Sequence, residues 1–327
     1  MSESAPDRAS PPLGKLLAAF AAVYVLWGST YLGIRFSIET LPPFFTQGVR
    51  FLAAGLFMYA WARLSGASRP TRREWGGAVV TGLLLFIGGT GAVVWAERLI
   101  PSGVVALVVA TEPISFVLIE AVRRRRMPRG SVLAGLALGA TGLIILVGPG
   151  EVLGSEGFAL PALAVLIAGT FCWAGGSLYS RGSRLPRSPI MATAATLLTG
   201  GAGLAFVGLA AGELSRFDPS GVSMRSVLAT VYLFVFGSIV GFSAYLWLLR
   251  VTTVARVSTY AYVNPIVAVL LGWALAGETL TARVAVAAVV IVGAVAIIIR
   301  HGGEDAEIVP PEEADLGCEK ASETLHA

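Results

Sequence analysis

Charge is what this sequence has least of. Only 13% of its 327 residues are Asp, Glu, Lys or Arg, about half the share of an ordinary soluble domain, whereas 55% are apolar and the mean hydropathy is +0.77. Lipid is therefore the expected solvent for most of the chain. Histidine is almost missing, since His301 and His326 both lie beyond the last apolar stretch. No aspartate falls inside an apolar stretch; Asp7, Asp218, Asp305 and Asp315 all sit in polar segments. A hydrolase or metalloenzyme needs clustered titratable or ligating groups, so this distribution argues against an enzyme, and no catalytic residue, metal or cofactor is expected. The two cysteines, Cys172 in an apolar stretch and Cys318 near the end, supply neither a disulfide framework nor a metal quartet. The net charge of +4 could suggest nucleic acid, but the arginines fall in short clusters between apolar stretches, which is how membrane orientation is set. RRRRMPRG from Arg123 follows an apolar stretch directly and reads the same way. GGTG at Gly88 lies inside such a stretch with no strand before it, so it is not a phosphate loop.

What is present is a set of ten apolar blocks: Leu16–Ile34, Phe44–Trp61, Trp75–Ala96, Gly103–Val122, Ser131–Val147, Phe158–Tyr179, Ile190–Ala211, Ser226–Leu249, Val257–Ala276 and Val284–Ile299. About 20 helical residues span a hydrocarbon core of about 30 Å. Lipid offers the backbone no hydrogen-bond partner, so blocks this long must be helices, and they are too long to be barrel strands. The fold class expected is all-α integral membrane, with ten transmembrane helices. The first block exceeds the apolar core of a cleavable signal and is read as retained. Residues 1–13 form a polar arm, and residues 301–327 form an acidic, disordered tail.

Arginine placement orients the chain. With the N-terminus inside, the inner segments hold Lys15, Arg63, Arg69, Arg72, Arg73, Arg123–Arg126, Arg129, Arg181, Arg184, Arg187, Arg250, Arg256 and Arg300. The outer segments hold only Arg35, Arg98, Arg216, Arg225 and Arg283, and the 149–157 loop carries Glu151 and Glu156 without a cation. Both termini are thus expected in the cytoplasm.

The sequence also repeats itself. An offset of 152 superposes Gly89 on Gly241, Trp95 on Trp247, Arg98 on Arg250, Pro113 on Pro265 and Ile114 on Ile266; an offset of 146 superposes Trp27 on Trp173 and Arg35 on Arg181. Five helices per copy is an odd number, so the second copy must enter the membrane from the opposite side. Inverted repeats of this kind are typical of secondary transporters. An ion channel would show symmetric subunits and a filter ring, and neither is visible.

WGSTYLGIR from Trp27, PPFFTQGVRFLAAG from Pro42, PSGVVALVVATEP from Pro101, YAYVNPIVAVLLG from Tyr260 and GETL from Gly277 together resemble the EamA family of the drug/metabolite transporter superfamily, in particular its YedA-like exporters. The similarity runs over about residues 14–300. It implies two EamA repeats, 14–148 and 158–300, around a central cavity lined by the first four helices of each half, with helices five and ten peripheral. It also implies a multi-pass protein of the inner (plasma) membrane that exports small metabolites, amino-acid-like compounds or drugs. An importer or exchanger of the same fold, and a membrane scaffold or sensor, are the alternatives. Two departures stand out: Gly277 and Glu278 match a Gly-Glu pair that the first half replaces by Arg125 and Arg126, and Glu112 stands where many relatives have a neutral residue.

Ionisable groups within membrane helices cost about 2.5–3.5 kcal/mol each, so they need a cavity or a partner. Arg50 and Glu112 are the candidates, expected to face the cavity as a charge pair that a zwitterionic substrate or a proton interrupts; a permanent structural ion pair is the alternative. Pro113 and Pro265 each remove an intrahelical hydrogen bond, giving hinges at equivalent depths or simple bends. Asn264, the counterpart of Glu112, is a candidate cavity ligand. Among the aromatics Trp27, Tyr31, Trp95, Trp173, Tyr179, Trp247, Tyr260 and Tyr262, we select Trp27, Tyr31, Trp95 and Tyr262 as substrate-binding residues, and assign Trp61 and Trp75 to interfacial belts. Gly135 and Gly139 permit close helix approach, within one subunit or across a homodimer. The partners expected are a small-molecule substrate, membrane lipid and protons as a candidate coupling ion, with no nucleic acid.

Overall fold

The computed structural model describes residues 12–125, 130–147 and 159–302. They form ten helical rods. α1 runs Leu13–Ser37 with a π-helical turn at Ala22–Leu26, α2 is Pro43–Leu64, and α3 is Arg72–Ala96 with a π-helical stretch at Leu83–Thr90. α4 is Ser102–Val109 resumed as Glu112–Arg124, α5 is Gly130–Val147 and α6 is Ala159–Gly182. α7 is Pro189–Ala210, α8 is Met224–Val251 with a π-helical stretch at Leu233–Gly241, α9 is Tyr260–Ala276 after a single turn at Val254–Val257, and α10 is Ala282–Gly302. Six of them, α1, α3, α4, α6, α7 and α8, are long and apolar enough to cross a membrane among the described residues. α5, α9 and α10 hold shorter apolar runs, and α2 carries Gln47 and Arg50 within its length.

Local chemistry places the boundaries. Pro43 and Pro189 sit in the first turns of α2 and α7, where a missing N–H is no loss. Thr71 and Glu74 form a capping box that starts α3, and the Ser223 hydroxyl accepts from the Ser226 N–H to start α8. Gly277, at φ +66°, ends α9 in the left-handed conformation that glycine adopts without strain. α1 begins at Leu13, so the last residue of the expected arm is helical; residues 1–11 and 303–327, with most of the arm and tail, lie outside the described residues, as do Arg126, Arg129, Glu151, Glu156 and Phe158.

Short connections meet at two ends. At one end Glu213 accepts from the N–H groups of Phe44 and Phe45 at 3.1 and 2.8 Å, Glu278 accepts from Ser102 and Gly103, and Arg225 pairs with Glu39 at 3.2 Å. At the other end Arg181 donates to the Thr252 carbonyl at 3.1 Å, Arg250 donates to the carbonyls of Pro186 and Arg187, and Lys15 lies 5.0 Å from the Trp247 ring centroid.

The helices of residues 13–147 pack chiefly on those of 159–302: α2 on α7 and α8, α5 on α10, α3 on α6 and α7, α1 on α8 and α9, and α4 on α6 and α9. Exchanging each helix for the one five places away reproduces these pairs. α3 on α6 becomes α8 on α1, and α1 on α9 becomes α6 on α4. The α2–α7 contact is the tightest. A β-carbon on Gly48 would stand 2.3 Å from the Ala205 nitrogen, and one on Gly201 would stand 2.8 Å from the Leu52 nitrogen. Gly55 meets Leu198 and Gly208 meets Phe45, so the two helices lie antiparallel and touch backbone to backbone. Gly139 packs against Ile114 and Ala294 of the same chain. Large apolar side chains such as Phe57, Phe206, Leu228, Trp273 and Val289 are exposed around the outside, which suits a lipid-facing perimeter.

Gly48→Ala and Gly201→Ala are each expected to lower stability by about 1–3 kcal/mol, the usual range for overpacking, read as a fall in the unfolding temperature in detergent. Gly293→Ala, whose β-carbon meets nothing within 4 Å, should leave it unchanged.

Candidate functional site

A cavity opens where α1, α3, α4, α6, α8 and α9 converge with one turn of α2, enclosing about 820 Å³ of atom-free space, its mouth included. Its walls include Trp27, Tyr31, Arg50, Glu112 and Asn264, five of the residues singled out in the sequence. α7 contributes nothing to the lining, because its face is spent on the glycine seam with α2. α5 and α10 pack on each other away from the cavity, at the periphery.

Arg50 and Glu112 do not form a charge pair. The Arg50 guanidinium turns to α8, where Nη1 donates to the Leu233 carbonyl at 2.9 Å and to Ser238 Oγ at 3.0 Å, and it lies 4.0 Å from the Phe51 ring centroid. The reason is local. The π-helical stretch of α8 shifts the hydrogen-bond register, and the Leu233 carbonyl also receives the Ser238 hydroxyl, five residues on. Glu112 looks instead to α9, where Tyr260 donates to its Oε2 at 2.5 Å. Both charged residues are buried, and Arg50 Nε, Glu112 Oε1 and Asn264 Oδ1 have no hydrogen-bond partner among the described residues.

Beside them stands an aromatic cluster drawn from both halves. Trp27 meets Trp173 edge-on at 5.5 Å between centroids, Tyr245 at 4.7 Å and Tyr260 at 5.7 Å. Trp173 Nε1 donates to the Tyr245 hydroxyl at 3.1 Å, and Ser177 shares a 2.6 Å hydrogen bond with the same oxygen. The polar tips of Trp173, Tyr245 and Tyr260 are thereby satisfied, and the rings of Trp27, Trp173 and Tyr260 border the cavity. Trp173 and Tyr260, which are not among the four aromatics selected from the sequence, also line the cavity. The repeat match of Trp173 to Trp27 was the signal that would have selected it.

Trp95 is the misplaced choice. It packs half-buried against the hydrophobic core and does not reach the cavity, because α3 turns its Phe86–Val93 face inward and Trp95 lies past it. The side chain of Tyr262 lies outside the described residues. Thr30, Phe51, Phe86, Thr90, Thr170 and Phe242 line the cavity without having been singled out; nothing in their spacing separates them from ordinary core residues.

The two prolines sit in unequal surroundings. α4 breaks at Ala110–Thr111, and Pro113 occupies the first turn of the segment that resumes. In the second half the interruption falls at Ser258–Thr259, and α9 runs unbroken through Pro265. At each break a threonine hydroxyl holds a carbonyl three residues back, Thr111 that of Val108 at 2.7 Å and Thr259 that of Arg256 at 2.5 Å. The two interruptions do not fall at repeat-equivalent positions, since Thr111 corresponds by the repeat offset to Val263, one turn beyond the second break, although Pro113 and Pro265 themselves correspond.

The sequence matches the EamA-like transporter family over residues 13–148 and again over 160–300. It is 39% identical over 287 residues to a protein of Escherichia coli (strain K12) named "Uncharacterized inner membrane transporter YedA", covering 86% of this chain and 90% of that one. It is 24% identical over 286 residues to a "Probable amino-acid metabolite efflux pump" of Salmonella typhimurium, covering 82% and 89%. A protein crystal structure shares the fold with a TM-score of 0.62 at 22% identity, covering 87% of this chain and 97% of that one.

Tyr260→Phe removes the one hydrogen bond that Glu112 receives among the described residues. Its expected cost is about 1–3 kcal/mol, the penalty for leaving a buried acceptor unsatisfied, seen as a lower unfolding temperature. Tyr179→Phe, at an exposed ring, is the silent control.

Proposed function

The chain belongs to the EamA-like transporter family, whose members are membrane transporters and not enzymes, and on that premise we propose that it exports small zwitterionic metabolites of the amino-acid kind by alternating access. The observation that carries this reading is the pair of opposite charges, Arg50 and Glu112, that line one cavity without neutralising each other. A substrate carboxylate fits the unpartnered Nε of Arg50, and a substrate ammonium fits the unpartnered Oε1 of Glu112, with Asn264 Oδ1 as a second acceptor. Trp27 and Trp173 offer apolar faces to the side chain of the substrate. The name of the Salmonella relative agrees with this substrate class.

Alternating access further requires ten crossings arranged as two inverted five-helix repeats. This reading is supported by the exchange symmetry of the helix contacts, the antiparallel α2–α7 seam and the alternation of connections between the two ends. Two similar halves provide two related packings, one open to each side. We assign the end bearing Arg63, Arg69, Arg72, Arg73, Arg184, Arg187 and Arg256 to the cytoplasm, with both termini there, because cytoplasmic connections retain arginine.

Two measurements test the reading. In a background with Cys172 and Cys318 replaced by serine, Leu99→Cys should react with an impermeant thiol reagent in intact cells, and Arg256→Cys only after permeabilisation; labelling of both from one side would refute the inverted arrangement. In reconstituted vesicles loaded with labelled amino acids, wild type should release substrate, and Glu112→Met and Arg50→Met should each cut the flux at least about tenfold, the worth of a single charged hydrogen bond. Equal flux in both variants would reject the site.

A further inference from the structure

The most anomalous group outside the cavity is Glu97, at the C-terminal end of α3. Its side chain has no exposure, and neither carboxyl oxygen has a hydrogen-bond partner among the described residues. The charged groups around it are accounted for. On α1, Arg35 directs Nη1 to the backbone carbonyl of Glu97; it makes no hydrogen bond to the carboxyl but lies within electrostatic reach of it and favours its anion. On the α9–α10 connection, Glu278 lies within electrostatic reach. Its Oε1 accepts from Ser102 N at 2.9 Å and Ser102 Oγ at 2.6 Å, and its Oε2 accepts from Gly103 N at 3.1 Å. Those donors, at the positive end of α4, favour Glu278 as the anion. Arg98, the next residue, is exposed.

A buried carboxylate near an anion, with no hydrogen-bond donor of its own, would carry a charge that Arg35 offsets only in part, so burial favours its protonated form. Two neighbouring carboxyl groups avoid such a charge when one of them retains a proton. We propose that Glu97 is a proton-binding site, distinct from the substrate cavity, that loads and releases its proton at the end of the bundle where Glu278 caps α4. The site is walled by α1 and the ends of α3 and α4 from the first half, and by the α9–α10 connection from the second. Parting the halves at this end would wet Glu97 and let the proton leave to water. Tyr31, in the cavity wall, lies within electrostatic reach of both Glu97 and Glu112 and is the wall residue through which the charge state at Glu97 would act on the cavity. This role in coupling rests on the transporter reading; proton occupancy does not.

Infrared spectroscopy of the purified full-length protein at neutral pH tests occupancy without any substrate. The absorption of buried protonated carboxyl groups should lose one component in Glu97→Gln, a component that Glu112→Gln retains. Because glutamine mimics a neutral carboxyl, Glu97→Gln should unfold at or above the wild-type temperature. An unchanged carboxyl absorption together with a lower unfolding temperature would identify Glu97 as a structural anion balanced by Arg35 and overturn the proposal. In vesicles with the labelled amino-acid panel, an imposed pH gradient should change wild-type flux, and Glu97→Gln should lose that response while still moving substrate. A response preserved in the variant would overturn the coupling role alone. Absence of flux in wild type would reject the substrate reading, and the spectra would still decide on the proton.

Discussion

Where Gly48 and Gly201 let α2 and α7 touch backbone to backbone, the two halves of the chain become one body. In lipid there is no hydrophobic gain from bringing helices together, so association depends on close van der Waals approach and on satisfied polar groups. The α2–α7 seam supplies the first: residues with no side chain remove the usual spacing between helices over four successive contacts, from Phe45 with Gly208 to Gly55 with Leu198. The rest of the architecture follows from it. With α2 and α7 fused, α1, α3, α4, α6, α8 and α9 supply most of the cavity wall, and α7 does not line it.

Onto this near-symmetric frame the chain places unsymmetric chemistry. The charges in the cavity wall, Arg50 and Glu112, come from the first half, whereas the second half offers Asn264 in the place equivalent to Glu112 and aromatic rings around it. Under the proposed export of zwitterions by alternating access, the frame needs symmetry because each half would accept the other in two related packings, and the site needs asymmetry because such a solute has two different ends. π-helical stretches at matching positions in α3 and α8 connect the two demands, since the one in α8 presents the carbonyl that holds Arg50 away from Glu112.

The helix ends divide by charge in the same way. Arg35 and Arg181, matched by the repeat, each donate to a carbonyl at the far end of a neighbouring helix, α3 for Arg35 and α8 for Arg181. The acidic caps lack this symmetry. Glu213 and Glu278 both belong to the second half and both cap helices of the first, α2 and α4. Arginine gathers at the opposite end. Carboxylates at helix N-termini and cations at C-termini suit the helix dipole, so one set of residues serves helix ends and sets a charge difference across the bundle.

Helical class, the number of rods and the internal repeat were all legible in the sequence, because block length and apolarity answer directly to the solvent and do not depend on neighbours. Five residues of the cavity wall were legible for a related reason: a charge, an amide or a repeated tryptophan inside an apolar block has few places to go. What the sequence by itself could not determine was direction. Whether Arg50 turns to Glu112 or to Leu233, and whether Trp95 or Trp173 reaches the cavity, depends on π-helical register and on side-chain facing, which shift by a fraction of a turn without changing composition. Only the tertiary structure decided those contacts, because each is made between segments 60 or more residues apart, and their mutual facing is set by packing between helices and not by either segment alone.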